Sequence, residues 1–260
     1  MRGGAALHGR KGGGAMPRGK RAYRVLLWAV LAALLALAAR HARRTKAYFV
    51  RTPFQPVFEL QDAEDTARRL GAELQVIDYD ILAAPAVASN PPDRCYHCKR
   101  SLFTALLAAA KADGFPVVLD GSNASDDAGD RPGMRALREL EVRSPLRECG
   151  LTKSDVRRLA REAGLPVWDK PSYACLATRV PTGTAITRED LGRVERGEQA
   201  LAAMGFHDFR LRLRGDGALL QVREDQWEEA RRRLEELRSL LAGDFTQVEL
   251  DAAPRQTRES

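Results

Sequence analysis

From residue 47 onward the chain alternates between two rhythms of apolar positions. "AYFVR" (47–51) and "LQVIDYDI" (74–81) are short runs rich in aromatic and β-branched residues and read as strands. Between them the apolar positions recur at helical spacing over 59–70 and stop at Gly71. The "NPPDR" turn (90–94) opens an Ala/Leu-rich helix over 95–113 that Gly114 closes, and "VVLDG" (117–121) reads as a short buried strand. "LTKSDVRRLAREAGLP" carries Thr152 at an N-cap, Asp155 where a capping box has its acid, and Gly164 with Pro166 as a stop. Strands alternating with helices predict an α/β fold, a parallel sheet flanked by helices. Farther on come a helix (188–204), strands (209–214 and 218–222), a long charged helix (225–241) and a strand (246–250). That order predicts a small C-terminal α+β lobe. The expected organisation is an atypical N-terminal segment (1–46), a main domain (47–184), the lobe (185–251) and a disordered tail (252–260).

Ahead of the first strand lies "VLLWAVLAALLALAA" (25–39), between basic flanks. It falls short of the roughly 20 apolar residues a membrane span needs. It is read as a helix buried in the α/β domain. A membrane anchor or a signal sequence, with Ala38-Ala39 as a cleavage site, is the alternative.

Charge sharpens this division. The formal net charge is +7, yet residues 1–58 hold twelve Lys or Arg and no acid, leaving 30 basic against 35 acidic residues in the remainder. The globular part therefore lacks the positive field that nucleic acid or an anionic membrane would select. Cys95, Cys98, Cys149 and Cys175 are too few and too scattered for a disulfide scaffold, which points to a reducing, cytoplasmic setting.

Candidate chemistry gathers in four places. In "KPSYACLATRVPTG" (170–183) Cys175 sits among small, polar and cationic residues, with Lys170 and Arg179 to lower its pKa and Thr178 to donate a hydrogen bond; an inert loop cysteine is the alternative. "LDGSNASDDAGDRPG" follows a strand, where parallel sheets bind ligands. Its Gly121, Ser122 and Asn123 offer close backbone approach, and Asp126, Asp127 and Asp130 offer oxygens suited to Mg²⁺ beside a nucleotide triphosphate, unless this is simply a solvated Asx-rich loop. "FRLRLRGD" puts Phe209, Leu211 and Leu213 on one face and Arg210, Arg212 and Arg214 on the other, a row suited to phosphate or carboxylate or else the charged face of an edge strand. "CYHCK" is half of a zinc site with no second pair; packing at a helix start is the simpler reading, with Lys99 free to reach a phosphate.

Together "NPPDRCYHCKRSLF", "VLDGSNASDDAGDRPGMRAL", "RSPLRECGLTKSDVRRLAREAGLPVWDKPSYACLATRVPTGTAIT" and "GFHDFRLRLRGDGA" resemble, in order and spacing over about residues 50–250, the LarE-type ATP-dependent sacrificial sulfur transferases of the PP-loop ATP pyrophosphatase superfamily. The resemblance implies that ATP adenylates a carboxylate of a pyridinium dicarboxylate mononucleotide in the making of a nickel-pincer nucleotide. A protein cysteine, matching Cys175, then gives up its sulfur and becomes dehydroalanine. It also implies that Arg210 and Arg212 hold the substrate's phosphate or carboxylate, that Asp120 to Asn123 form a nucleotide-side loop, and that the protein self-assembles. The family's Ser-Gly-Gly-x-Asp-Ser phosphate loop and the strand before it have no counterpart; "KGGGAM" (11–16) has glycines but no serine or aspartate. That departure leaves as the alternative a degenerate nucleotide-binding protein without activity, free or tethered to a membrane; a tRNA-thiolating or amidotransferase-like relative is a further reading, against which the absent second CxxC and the acidic globular part count.

Overall fold

The computed structural model describes residues 23–25, 28–126, 132–165, 168 and 173–255. Along the chain run β1 (Tyr23–Val25), α1 (Trp28–His41), β2 (Thr45–Arg51), α2 (Val57–Leu70), β3 (Glu73–Asp78), α3 (Pro85–Ala88), α4 (Arg94–Ala112), α5 (Pro132–Glu139), α6 (Pro145–Glu148) and α7 (Lys153–Glu162). Then follow α8 (Arg188–Ala203), β4 (Arg210–Arg214), β5 (Gly217–Gln221), α9 (Glu224–Arg232), α10 (Leu234–Leu241) and β6 (Val248–Leu250).

The first sheet is parallel in the order β1-β2-β3. Its central strand β2 is buried without a break from Lys46 to Val50, as expected where both faces are covered. Ala47 faces a core layer built with α1 and α7, whereas Tyr48 and Val50 face one built with α4 and α5. The sequence predicts no strand ahead of α1, but three residues, Tyr23–Val25, pair with Thr45–Ala47 and supply one.

The apolar segment forms α1, a 14-residue helix whose residues from Ala32 to Ala36, with Ala38, are buried against α7. Among the described residues no helix is long and apolar enough to cross a membrane. The described part of the apolar segment packs in the α/β core, as in the buried-helix reading.

The second sheet runs β4-β5-β6, antiparallel then parallel. It packs with α8, α9 and α10 around a second core holding Leu201, Leu211, Leu220, Leu237 and Val248. Two predictions need correction. Residues 117–121 form only an isolated bridge, Leu119 with Arg143: Pro116 has no N–H to give, and the backbone hydrogen bonds of Asp120 and Val118 run to Arg143. The single helix predicted over 225–241 is two, parted at Arg233 (φ −96°, ψ 11°), whose guanidinium joins Glu229 (2.8 Å) to Glu236 (2.9 Å) across the break.

Candidate active site

Three segments meet through backbone hydrogen bonds: residues 52–56 after β2, 88–94 at the start of α4, and 173–187 before α8. Each is held by backbone pairing. Leu176 N–H donates to Phe54 O (2.9 Å), Ile186 N–H to Ala88 O (2.7 Å) and Gly183 N–H to Asn90 O (2.9 Å). Asn90 is 1% exposed and takes a left-handed φ of 54°, a conformation asparagine tolerates. Its side chain donates to Pro181 O (2.8 Å) and accepts from the buried Arg94 (2.6 Å), which also donates to Ala177 O (2.9 Å).

Cys175 lies on this scaffold, partly shielded, at the head of a 3₁₀ turn over Leu176–Arg179. Of the neighbours the sequence suggests, Arg179 and the Thr178 backbone act on it, and Arg94 joins them. Burial pushes its thiol above the ordinary range; Arg94 and Arg179 pull the other way without prevailing. Lys170 and Asp127 lie outside the described residues.

Thr178 Oγ1 donates to the carbonyl of Cys175 (2.8 Å), closing the turn rather than meeting the sulfur. Arg179, expected at the substrate, is 1% exposed and committed to the protein. It forms a two-pronged pair with Glu198 (2.8 and 2.9 Å) and donates to Ala174 O (2.8 Å). Glu198 also accepts from Leu211 N–H (3.0 Å) and from the Tyr173 hydroxyl. Burial, with the Glu198 charge second, raises the Tyr173 phenol far above its usual range, so it stays protonated. One buried ion pair thus fixes the cysteine turn to α8 and β4.

The CxxC pair faces the same turn. Burial first, then Cys175 and Cys95, push the Cys98 thiol up to about 12, and Cys98 and Cys175 pack on one core cluster. That agrees with a packing role for Cys98, whereas Cys95 is exposed. Lys99 is partly buried along α5, where a Cβ on Gly133 would sit 3.1 Å from its Cδ.

On β4, Arg212 extends the frame toward solvent: Nη1 donates to Thr178 O (2.8 Å) and Nε to Gln221 (2.6 Å). Arg210 is buried over the Tyr173 ring (5.7 Å) and donates to Phe209 O (2.7 Å). Burial, then Arg179 and Arg255, lower it to about 10, and the same causes lower Arg212. Arg179 and Arg255 thus place positive charge around both guanidiniums, with the Asp208 carboxylate 3.8 Å from Arg210 acting against it. Arg255 belongs to the tail expected to be disordered, yet it donates to Asp208 Oδ1 (2.6 Å) and bridges to Arg223. Arg214, third in the predicted row, pairs with Glu249 (3.2 Å) on β6, beyond β5.

The Asp120–Asn123 loop is bonded to itself and its neighbours. Asp120 is 2% exposed and accepts from Ser122 and Ser144. Ser122 O accepts from Arg147 N–H (3.2 Å), and Asn123 Oδ1 accepts from Ser125 N–H (3.0 Å). The Asn123–Ser125 bond is an Asx turn, and Asp126 reaches back to accept from Asn123 N–H (2.9 Å). Among the described residues no three His, Cys, Asp or Glu side chains are grouped to hold a metal, and of the pair expected at magnesium only Asp126 is among them.

A cavity of about 720 Å³ opens instead at the carboxyl ends of β2 and β3. Arg51, Thr52, Asp78 and Tyr79 form its floor, and Arg188, Leu191 and Glu195 of α8 its far wall. This is where parallel sheets bind ligands, and the volume falls in the range of small-molecule sites. None of Asp120, Gly121, Ser122 or Asn123 lines it. Sequence reasoning therefore missed Asn90, Arg94, Tyr173, Glu198 and Asp208 as well as this cavity. The "NPPDR" turn was a visible signal for Asn90 and Arg94. Nothing local marks Glu198, which looks like any acid on an exposed helix face.

The described residues thus combine an α/β fold with a strand-end cavity, a partly shielded cysteine turn and an arginine-bearing strand. No protein-family model matches the chain. It is 38% identical over 168 residues to an uncharacterized protein of Synechocystis sp. (65% of this chain, 63% of that one). It is 34% identical over 166 residues to the pyridinium-3,5-bisthiocarboxylic acid mononucleotide synthase of Lactiplantibacillus plantarum (64% and 60%). Over 192 residues it is 30% identical to an uncharacterized protein of Methanocaldococcus jannaschii (74% and 73%). The chain spans 63% and 60% of the length of the first two. It belongs to the LarE-type family of the PP-loop ATP pyrophosphatase superfamily.

Proposed function

We propose that this chain uses ATP to activate a carboxylate of a pyridinium dicarboxylate mononucleotide and transfers to it the sulfur of Cys175. The acceptor carboxylate attacks the α-phosphorus of ATP, and pyrophosphate leaves. The Cys175 thiolate then attacks the acyl carbon, AMP leaves, and a thioester joins protein and acceptor. Loss of the Cys175 Cα proton with cleavage of Cβ–S leaves dehydroalanine in the chain and a thiocarboxylate on the product.

One observation carries the reading. The turn that holds Cys175 is hydrogen-bonded through Thr178 O to Arg212, and through Arg179 and Glu198 to the strand that also bears Arg210. A thiol and a concentration of positive charge are thereby fixed to one another. Arg210 and Arg212 hold the acceptor's anionic groups, and the repulsion each meets from Arg179 and Arg255 is relieved when an anion arrives. Arg179 acts as a positioning residue for the cysteine turn. The cavity beyond β2 and β3 takes the adenosine, with Asp78 and Asp80 near enough to its rim to accept from ribose hydroxyls. The synthase name of the L. plantarum relative supports the acceptor chemistry.

Intact-mass spectrometry tests this. After incubation with ATP, magnesium and acceptor, the chain becomes lighter by one molecule of H₂S, and Cys175→Ala abolishes the change. A chain that binds AMP yet keeps its mass belongs to the alternative, a nucleotide-binding relative without activity.

A further inference from the structure

The large cavity has a smaller neighbour of about 270 Å³, and Pro56 and Glu195 line both. The partition between them is held where Glu195 Oε1 accepts from the Val57 N–H at the start of α2 (2.8 Å). On the far side of that wall the small cavity is aromatic: Phe58, Tyr173, Phe206 and Phe209 line it, with Arg210 at one end. Phe58 is 40% exposed, unusual for so large an apolar side chain, and meets Tyr173 edge-on with centroids 5.2 Å apart and planes at 87°.

Size decides what this cavity can take. At 270 Å³ it lies below the usual range for whole small-molecule sites and holds one ring, not a nucleoside phosphate. Its chemistry narrows the choice further. Aromatic faces attract a flat cation, the Glu195 carboxylate complements a ring that carries positive charge, and Arg210 offers an anchor to an anion on the same ligand.

We propose that the cavity between Phe58 and Arg210 seats the cationic aromatic ring of the acceptor, and that Pro56 and Glu195 form the partition across which its carboxylate meets the nucleotide. The inference rests on the acceptor assigned above and adds the ring subsite and its selectivity. Phe58 and Tyr173 grip the ring. Glu195 couples ring recognition to the wall: a positive ring draws on the carboxylate that otherwise holds the Val57 N–H.

Nicotinic acid mononucleotide, a pyridinium carboxylate nucleotide, is a direct probe in isothermal titration of the full chain. Phe58→Ala weakens its binding about tenfold, the scale of a lost aromatic–cation contact. The same variant leaves AMP and ring-less ribose 5-phosphate unaffected. Glu195→Gln keeps an acceptor for Val57 but loses the charge, and weakens nicotinic acid mononucleotide alone. Phe58 is exposed, so thermal melting equal to wild type confirms that the variant is folded. Equal nicotinic acid mononucleotide affinities in wild type and both variants overturn the ring subsite while leaving the sulfur-loss test standing. A wild-type chain that binds AMP but no pyridinium nucleotide overturns both this subsite and the proposed acceptor.

Discussion

Cys175 is the residue on which two opposing effects are weighed. Burial raises its pKa, Arg94 and Arg179 lower it, and burial is the larger. The free protein therefore keeps a protonated, unreactive thiol at neutral pH, which suits a sulfur that is to be lost only when an activated acceptor is present. Since the thiolate is the nucleophile, its fraction below the pKa grows about tenfold per pH unit. Alkylation of Cys175 by iodoacetamide, followed by peptide mapping, is expected to accelerate with pH and to continue rising past pH 9.0, the ordinary value from which this thiol is raised. Arg94→Gln removes the larger of the two lowering charges and moves the whole profile to still higher pH. A plateau near neutrality would show a thiolate already formed. Glu198 behaves differently: truncating it leaves the Arg179 charge buried and unpaired. Glu198→Ala should cost about 3–5 kcal/mol of stability in urea unfolding. Replacing both members by apolar residues should restore much of that, yet leave sulfur transfer impaired because the cysteine turn is no longer fixed.

Helix α7 and helix α8 show how far elements can be read from sequence. In α7 both halves of the capping box form: Thr152 Oγ1 accepts from Asp155 N–H (3.3 Å) and Asp155 accepts from Thr152 N–H (3.0 Å). Thr152→Ala is expected to cost about 1 kcal/mol, read as a lower urea midpoint with unchanged m-value. That element was legible because its signals are local. In α8 the decisive feature is tertiary. A Cβ on Gly197 would lie 2.6 Å from Leu211 Cδ2 and 3.1 Å from Phe245, so the helix approaches β4 as closely as it does only because this position has no side chain. Gly197→Ala should destabilise by about 1–3 kcal/mol through overpacking. It should also slow sulfur transfer, since Glu198 next to it holds Arg179. No periodicity announces such a glycine, and for the same reason Glu198 and Asp208 escaped notice: their roles come from residues far away in sequence. The arginine row on β4 was visible by its alternation. Which arginines remain near the site was not, because the Glu249 that takes up Arg214 lies on β6.

At the level of the whole molecule, the unusual N-terminal segment either belongs to the globular fold or hangs from it, and the packing of α1 decides between these. Leu34 and Leu35 are each 5% exposed, and α1 shares a core layer with Ala47 of β2, Leu119, Leu146 and Val156 of α7. That layer covers one face of the parallel sheet, so losing it would strip β2 on the side opposite α4. A helix tethered elsewhere would leave that face wet. Leu35→Ala should therefore cost about 2–5 kcal/mol, as for a buried leucine with neighbours on every side. Hydrogen exchange supplies the sharper test. If α1 is core, the amides of residues 32–38 exchange with the free energy of global unfolding, together with those of β2, and Leu35→Ala lowers protection of both by the same amount. Rapid exchange in α1 beside an undisturbed β2 would show that the sheet holds together without it. The distinction bears on function, because the strand-end cavity is floored by the last residues of β2 and β3 and keeps its shape only while both faces of that sheet remain covered.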